Sequence, residues 1–354
     1  MDSVSSQLER CFFVKKSDSE TADFVSSKNW NFGGKRGLFG GQVISQTVTA
    51  AILSVPTDFH INSLHAYFIL PANYNKLLSF KVDKIRDGRS FATRLVHAKQ
   101  DDDEIFTMLC SFQKASPFVS QHQFQIPSVY PPEYSDEQSS IDSSVNYRHS
   151  NPPIIKIFNE FICHTRIPVP KDPSLRAAMQ NVDKTHIKPP NADPLPNINP
   201  PFLMRWIKVD LPSSLISINV SKAFLSLVSD FFLTQTNSLP YLYGYNNGKI
   251  KLPMAVSLDH SIYFHSNDFA INEWLLFVLE SPRLANNRGF ITAKFFTIDG
   301  QHVASVAQEN VYRTSIVDPE SAIPTHVFTP PSLHHSPVSA TSSSTATTNT
   351  KYKL

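Results

Sequence analysis

The sequence has few cysteines, and its opposite charges nearly cancel. Cys11, Cys110 and Cys163 are odd in number and far apart, which fits reduced thiols in an intracellular compartment and gives no zinc-ligand spacing. A net charge of +2 gives no electrostatic case for binding nucleic acid or a membrane surface. The polar N-terminus lacks a signal-peptide core, and no apolar run approaches membrane-spanning length. We therefore expect no nucleic-acid partner and no membrane span.

Glycine is also scarce, and its distribution against that of proline divides the chain. Five of the 10 glycines lie between Gly33 and Gly41, whereas many of the 26 prolines lie between Pro117 and Pro212. A length of 354 residues suits two domains of ordinary size. The sequence predicts four parts: a structured unit at 1–115, a Pro-rich and partly disordered connector at 116–200, a second structured unit at 201–330, and a disordered Ser/Thr tail at 331–354.

The first unit has the pattern of one helix followed by an antiparallel meander. Apolar residues recur at helical spacing over Gln42–Leu53, and Pro56 ends the helix. Four predicted strands follow, with Asp87-Gly88 as a hairpin turn between two of them. The strands are Ile61–Leu70, Leu78–Arg86, Ser90–Lys99 and Ile105–Gln113. This order indicates an α+β unit.

The second unit repeats that pattern. A strand at 202–212 precedes an apolar helix, Ser221–Leu233, for which Ser221 is the N-cap candidate. Four strands are predicted after it: Ala255–His265, Trp274–Ser281, Gly289–Ile298 and His302–Arg313. A duplicated α+β unit predicts a pseudo-dimer within one chain.

The second helix contains one carboxylate, Asp230, among Val228, Phe231 and Phe232. A buried charge there requires a partner or a raised pKa. On this segment alone, the simpler interpretation is a solvated acid on a thin polar side that it shares with serines.

Several sequence blocks resemble the type II acyl-CoA thioesterases, the family of bacterial thioesterase II and peroxisomal acyl-CoA thioesterases. In the first unit the blocks are Gly37-Leu38-Phe39-Gly40-Gly41-Gln42-Val43, Ser63-Leu64-His65-Ala66-Tyr67-Phe68, Arg86-Asp87-Gly88-Arg89-Ser90-Phe91 and Ser111-Phe112-Gln113. In the second they are Leu258-Asp259-His260-Ser261-Ile262-Tyr263-Phe264-His265, Asn272-Glu273-Trp274-Leu275 and Ala304-Ser305-Val306-Ala307-Gln308-Glu309. The resemblance covers roughly residues 33–113 and 202–313.

The resemblance implies a double hotdog fold, in which each unit wraps an antiparallel sheet around a central helix and the two sheets join edge to edge. It also implies hydrolysis of fatty acyl-CoA to free fatty acid and CoA, without a metal or organic cofactor. The family's Asp, Thr/Ser and Gln fall on Asp230, Ser257 and Gln308. The resemblance therefore implies that Asp230 activates a water that the other two position. Because the first helix has no carboxylate, the first unit is expected to complete the pocket without an acid of its own.

Three other functions fit these residues less well. A Ser/His/Asp hydrolase using Ser257, Asp259 and His260 would need a bulge, because neighbours on a strand point to opposite faces. Strict alternation places Asp259 on the same face as Ser257, which leaves a supporting role for Asp259 open. A hotdog enoyl-CoA hydratase would need Asp and His together on the central helix, which has no His. A non-catalytic acyl-CoA-binding protein is disfavoured by the intact set of three residues.

The remaining features concern loops, location and assembly. The glycine cluster lacks a phosphate-loop pattern, so close packing of a loop on the sheet is expected. Tyr352-Lys353-Leu354 partly matches a Ser-Lys-Leu address, which predicts a peroxisomal import receptor as partner and the peroxisome as location, with the cytoplasm as the alternative. Exposed sheet edges favour a homo-oligomer.

Overall fold

The computed structural model describes most of both predicted units and short parts of the chain between them. The described residues are 13–29, 37–116, 120–134, 163–166, 168–173, 200–209, 211, 213–241, 250–316 and 327–328. Much of the predicted connector, and the whole tail at 331–354, lie outside them.

The described residues of the first half form one α-helix and six strands. Two short strands, β1 (Val14–Lys16) and β2 (Phe24–Ser26), precede helix α1 (Gly40–Ile52). Four strands follow: β3 (Phe59–Phe68), β4 (Ser79–Asp87), β5 (Phe91–Gln100) and β6 (Asp103–Lys114). Of these, β4, β5 and β6 form an antiparallel meander, whereas β3 pairs with β6 instead of β4, so the prediction of a four-strand meander is wrong at its first strand. In β5 the even-numbered residues from Ala92 to Gln100 are buried and the others are more exposed, as expected for a sheet with one face on a core.

The second half repeats this arrangement with an extra short helix. Strands β7 (Cys163–Arg166) and β8 (Phe202–Val209) precede helices α2 (Ile218–Val228) and α3 (Leu233–Ser238). The strands after them are β9 (Ile250–Ser257), β10 (Asp259–Phe264), β11 (Leu275–Ala285), β12 (Arg288–Thr297) and β13 (His302–Ile316). Within the described ranges, no helix is long and apolar enough to cross a membrane.

One antiparallel sheet runs through both halves. Its strand order is β1-β2-β4-β5-β6-β3-β10-β13-β12-β11-β8-β7, with β9 also paired to β13. The halves join where β3 pairs with β10, with Ala66 opposite His260 and Leu64 opposite Ile262. Two sheets joined edge to edge around two helices confirm the double hotdog prediction.

The two central helices pack against each other inside the sheet. The Ser45 hydroxyl donates to the carbonyl oxygen of Ala223 at 2.7 Å, and Gly41 lies against the carbonyl of Leu227. The N-terminus of α1 therefore lies beside the C-terminus of α2. A single apolar core joins residues of both helices and both halves of the sheet.

The second helix differs from its predicted limits. It begins earlier, because the Ser217 hydroxyl accepts the backbone N–H of Val220 at 3.2 Å and caps it, whereas the predicted cap, Ser221, is fully buried inside the helix. It also ends at Val228, so Asp230 lies in the turn between α2 and α3 rather than on the helix.

The predicted single strand Ala255–His265 is broken at Leu258 into β9 and β10. Ser257 pairs with Asn310 and Ser261 pairs with Ala307, so four steps along this strand face three along β13. The extra residue is a β-bulge, and it reverses which side chains point into the core from that place onward.

Candidate active site

Asp230 lies where the two halves of the molecule meet. The Ser229–Phe232 turn joins α2 to α3, and Phe232 adopts the left-handed conformation with φ of 65°. That conformation is unfavourable for a bulky residue, so its surroundings must hold it. The Phe231 ring stacks on Phe39 at 4.7 Å between centroids, and the Arg205 guanidinium lies over the Phe232 ring. Packing on both sides therefore fixes the position of Asp230.

The start of α1 faces the Asp230 carboxylate from the first half. The backbone N–H of Gly41 donates to this carboxylate. Helix α1 has no side-chain cap and no acidic residue in its own first turn, so Asp230 supplies the negative group that a helix N-terminus favours.

Gly40 and Gly41 permit this approach. A Cβ atom on Gly40 would lie 2.7 Å from Oδ2 of Asp230 and 3.0 Å from Cζ of Phe68. A Cβ atom on Gly41 would overlap the carbonyl oxygen of Leu227. The glycine cluster was expected to pack a loop on the sheet. Gly40 does contact Phe68 of the sheet, but Gly41 packs on the opposite helix and both glycines border Asp230.

Ser257 and Gln308 lie beside Asp230 from the second half. Ser257, at the end of β9, donates from Oγ to Oδ1 of Asp230 at 3.4 Å. Gln308 on β13 donates from Nε2 to Oγ of Ser257 at 2.9 Å, and it also donates to the Asp230 carboxylate. The three residues predicted from the resemblance are therefore adjacent in space.

The surroundings raise the pKa of Asp230 into the neutral range. Burial raises the pKa of Asp230 from 3.8 to about 7, against the lowering effect of hydrogen bonds from Gln308, Gly41 and Ser257. At neutral pH the carboxylate and the acid are thus both populated, which suits proton transfer. The interpretation of Asp230 as a solvated acid on a polar side shared with serines is wrong: Asp230 itself is partly buried, and Ser226 and Ser229 are fully buried.

The bulge brings His260 into the same network. The imidazole is fully buried, with Nδ1 2.5 Å from Oε1 of Gln308 and Nε2 2.8 Å from Oγ of Ser229. Burial lowers the pKa of His260 to about 4, although the Gln308 hydrogen bond raises it, so the ring is neutral at working pH.

Asp259 points away from this network. Its Oδ1 accepts the backbone N–H of Glu309 at 2.5 Å, which bridges the bulge. The expectation that Asp259 shares a face with Ser257 is therefore wrong, because it assumed an unbroken strand. His260 contacts Gln308 and Ser229, so Ser257, His260 and Asp259 do not form a hydrolase triad.

Comparison with protein families gives matches in both halves of the chain. Residues 26–113 match the model of the acyl-CoA thioesterase N-terminal domain, and residues 163–312 match that of the acyl-CoA thioesterase C-terminal domain.

Individual proteins show the same similarity. Acyl-coenzyme A thioesterase 8 of Homo sapiens is 32% identical over 278 residues, which cover 78% of this chain and 80% of that protein. Peroxisomal acyl-coenzyme A thioester hydrolase 1 of Saccharomyces cerevisiae is 26% identical over 309 residues, which cover 78% of this chain and 86% of that protein. The crystal structure of an acyl-CoA thioesterase II from Mycobacterium marinum superimposes with a TM-score of 0.62 at 24% identity, covering 88% of this chain and 98% of that one.

Proposed function

We propose, from the premise that this chain belongs to the type II acyl-CoA thioesterase family and hydrolyses acyl-CoA, that Asp230 is its catalytic base and that Ser257 and Gln308 position the attacking water. The observation that carries the proposal is the convergence of these three side chains at the junction of the two halves.

The chemistry follows from the needs of a thioester. Water is a poor nucleophile at neutral pH, so a carboxylate must orient it and take its proton as its oxygen attacks the carbonyl carbon. The new C–O bond forms, the C–S bond then breaks, and the proton held by Asp230 passes to the CoA thiolate. The products are a fatty acid and free CoA, with no cofactor in the sequence of steps.

Ser257 and Gln308 control where the water lies. The Ser257 hydroxyl is within hydrogen-bond distance of the Asp230 carboxylate, and the Gln308 amide is within hydrogen-bond distance of the Ser257 hydroxyl. A water held by the carboxylate would meet the same two polar groups, which fixes its angle of attack. The same hydrogen bonds stabilise the ionised form of Asp230.

The test is release of free thiol from a panel of acyl-CoAs by wild type and Asp230→Asn. Removing a general base should lower kcat by about 10²-fold to 10⁴-fold, while the circular dichroism spectrum stays unchanged. The matched control is Asp259→Asn, which keeps an acceptor for the Glu309 N–H and should keep turnover within about twofold. Near-normal turnover by Asp230→Asn would overturn the assignment. The panel also measures the acyl-chain preference.

We also propose a peroxisomal location reached through an import receptor. The support is the yeast relative, whose name places it in the peroxisome, together with the Lys353-Leu354 end in the sequence. A fluorescent fusion carrying residues 331–354 should be punctate and co-localise with a peroxisomal marker, and deletion of Leu354 should disperse it. A diffuse signal from both fusions would contradict the proposal.

A third proposal is self-association. Among the described residues, the sheet ends at β1 on one side and β7 on the other, and exposed edge strands favour pairing with another chain. Light scattering on purified protein should give a mass above the monomer mass of 39.8 kDa, and a monomer at micromolar concentration would contradict the proposal.

A further inference from the structure

His260 forms the centre of a buried chain of hydrogen bonds that leads to the proposed base. The chain runs from Ser229 through His260 to Gln308, and from Gln308 through Ser257 to Asp230. Ser229, His260 and Gln308 are at most 1% exposed, so water does not compete for these bonds. Because Ser229 precedes Asp230 in the chain, the sequence of bonds closes into a ring around the site.

The ring depends on which way the Gln308 amide faces. Its Nε2 donates to Ser257 and to Asp230 only while its Oε1 faces His260. An amide oxygen can only accept, so Nδ1 of His260 must carry the hydrogen in this arrangement. Nε2 is then the acceptor, so the Ser229 hydroxyl must turn its one hydrogen to Nε2 and away from the carbonyl oxygen of Ser226, to which it otherwise donates at 2.9 Å.

The opposite arrangement would disable the site. If the amide were reversed, its NH2 group would face Nδ1 of His260. Two donors would meet there as long as Nδ1 carries the hydrogen, and relief would require the ring to carry that hydrogen on Nε2 and donate it to Ser229. The Gln308 oxygen would meet Ser257, whose hydroxyl would then donate to Gln308 instead of Asp230. Asp230 would lose the Ser257 and Gln308 donors that favour its ionised form and keep that of Gly41.

We propose that His260 is a positioning residue for thioester hydrolysis, which locks the Gln308 amide by donating from Nδ1 to Oε1. This inference rests on the proposed roles of Asp230, Ser257 and Gln308. His260 acts through Gln308 and does not touch the substrate. The bulge at Leu258 is what turns its side chain into the core beside Gln308.

The kinetic test uses two variants at one position. His260→Leu removes the donor, whereas His260→Asn places its side-chain NH2 near the position of Nδ1 and keeps it. We expect His260→Leu to lower kcat by about 10-fold to 100-fold with little change in KM, as for a misplaced catalytic group. His260→Asn should recover most of that loss. Equal losses in the two variants would overturn the proposal.

The pH profile separates positioning from a purely structural role. The polar groups facing Asp230 from the described elements are Gly41 of α1, Ser257 of β9 and Gln308 of β13, and none of them titrates near neutrality. In His260→Leu the lost donors should move the acidic limb of kcat/KM to higher pH. A lower melting temperature with an unchanged limb, after correction for active enzyme, would show that His260 only supports the fold.

The tautomer is measured independently of activity. Nitrogen-15 spectra of histidine-labelled protein, with His260→Asn to assign the signal, should show Nδ1 protonated at pH 7. The Nε2–H tautomer would overturn the proposal. Asp230→Asn is assayed beside these variants: normal turnover there would remove the proposed base, whereas the tautomer result would still report on the Gln308 lock.

Discussion

Asp230 acquires its proposed chemistry from its surroundings, because an isolated aspartate is a weak base at neutral pH. Burial raises its pKa to about 7, and three hydrogen-bond donors keep that pKa from rising further. The balance between these effects makes the working pH depend on Ser257 and Gln308.

The first residue-scale prediction concerns Gln308→Ala. This change removes a donor that lowers the pKa of Asp230, so the acidic limb of kcat/KM should move to higher pH. The rate on the plateau above the pKa of Asp230 should also fall, because the water is less well oriented. Profiles between pH 5.5 and 9 measure both effects, with Gln123→Ala, outside the site, as the control. A limb that stays at the wild-type pH would contradict the role given to Gln308.

The second residue-scale prediction is that Asp230→Asn stabilises the protein above neutral pH. The pKa is raised from 3.8 to about 7 in the folded state, so folding binds a proton between these values and stability falls as pH rises through them. The free energy of unfolding of the variant, relative to that of wild type, should therefore rise from pH 4 to 7. Above pH 7 the difference should stay constant, at about 4 kcal/mol at most. Urea unfolding at several pH values measures the difference. A gain independent of pH would show that Asp230 does not titrate in this range.

The family resemblance predicted some residues of the site, whereas features that depend on a bulge or on packing could not be predicted from the sequence. The family resemblance implied roles for Asp230, Ser257 and Gln308, although only Gln308 lies within a matching sequence block, and the three are adjacent in the structure. His260 was named only in a Ser/His/Asp hydrolase that was set aside because it would need a bulge. The sequence carries no sign of that bulge, since no glycine marks the break at Leu258. The left-handed conformation of Phe232 is equally invisible, since it is imposed by packing.

At the scale of elements, the site depends on the close approach of the α1 N-terminus to the turn after α2. Both helices were predicted from apolar periodicity. The ends of the first lie within two residues of the prediction, whereas the second begins three residues and ends five residues earlier than predicted. The ends depend on the Ser217 cap and on the turn that holds Asp230, which periodicity does not specify. This matters here because the site lies at the helix ends.

A paired prediction tests that approach. Gly40→Ala places a methyl group against Oδ2 of Asp230 and the Phe68 ring, which are side-chain atoms that can shift. Gly41→Ala places it against the backbone carbonyl of Leu227, which cannot. We expect Gly40→Ala mainly to lower kcat, and Gly41→Ala also to cost about 1–3 kcal/mol of stability. Kinetics and urea unfolding of both variants give the comparison. Equal stability of the two variants would contradict it.

At the scale of the whole molecule, the duplication places one proposed base at a site that both halves build. Gly41 belongs to the first half, while Asp230, Ser257 and Gln308 belong to the second. The repeat of helix and meander made the overall fold predictable. The seam between β3 and β10 followed only from the family resemblance, because long-range pairing leaves no local signal.

Lys222 provides a test of the contact between the halves. Its Nζ donates to the carbonyl oxygen of Ile61 in the first half at 2.7 Å, and burial lowers its pKa to about 7. The unfolded state binds more protons between pH 7 and 10.5, so this residue makes wild-type stability rise with pH there. The stability of Lys222→Met relative to wild type should therefore be greatest at or below pH 7 and decline toward pH 10. If the difference in free energy of unfolding between Lys222→Met and wild type, measured in urea, did not change with pH, Lys222 would not be a buried amine that titrates in this range.

The central claim is that one buried carboxylate of neutral pKa activates water against the thioester. Its most direct test is single-turnover thiol release by wild type and Asp230→Asn across pH 5.5 to 9. Wild-type rates should fall about tenfold per pH unit below 7 and level off above it, whereas Asp230→Asn should be slow at every pH and show no such limb. A variant that keeps both the wild-type rate and the limb near pH 7 would contradict the claim.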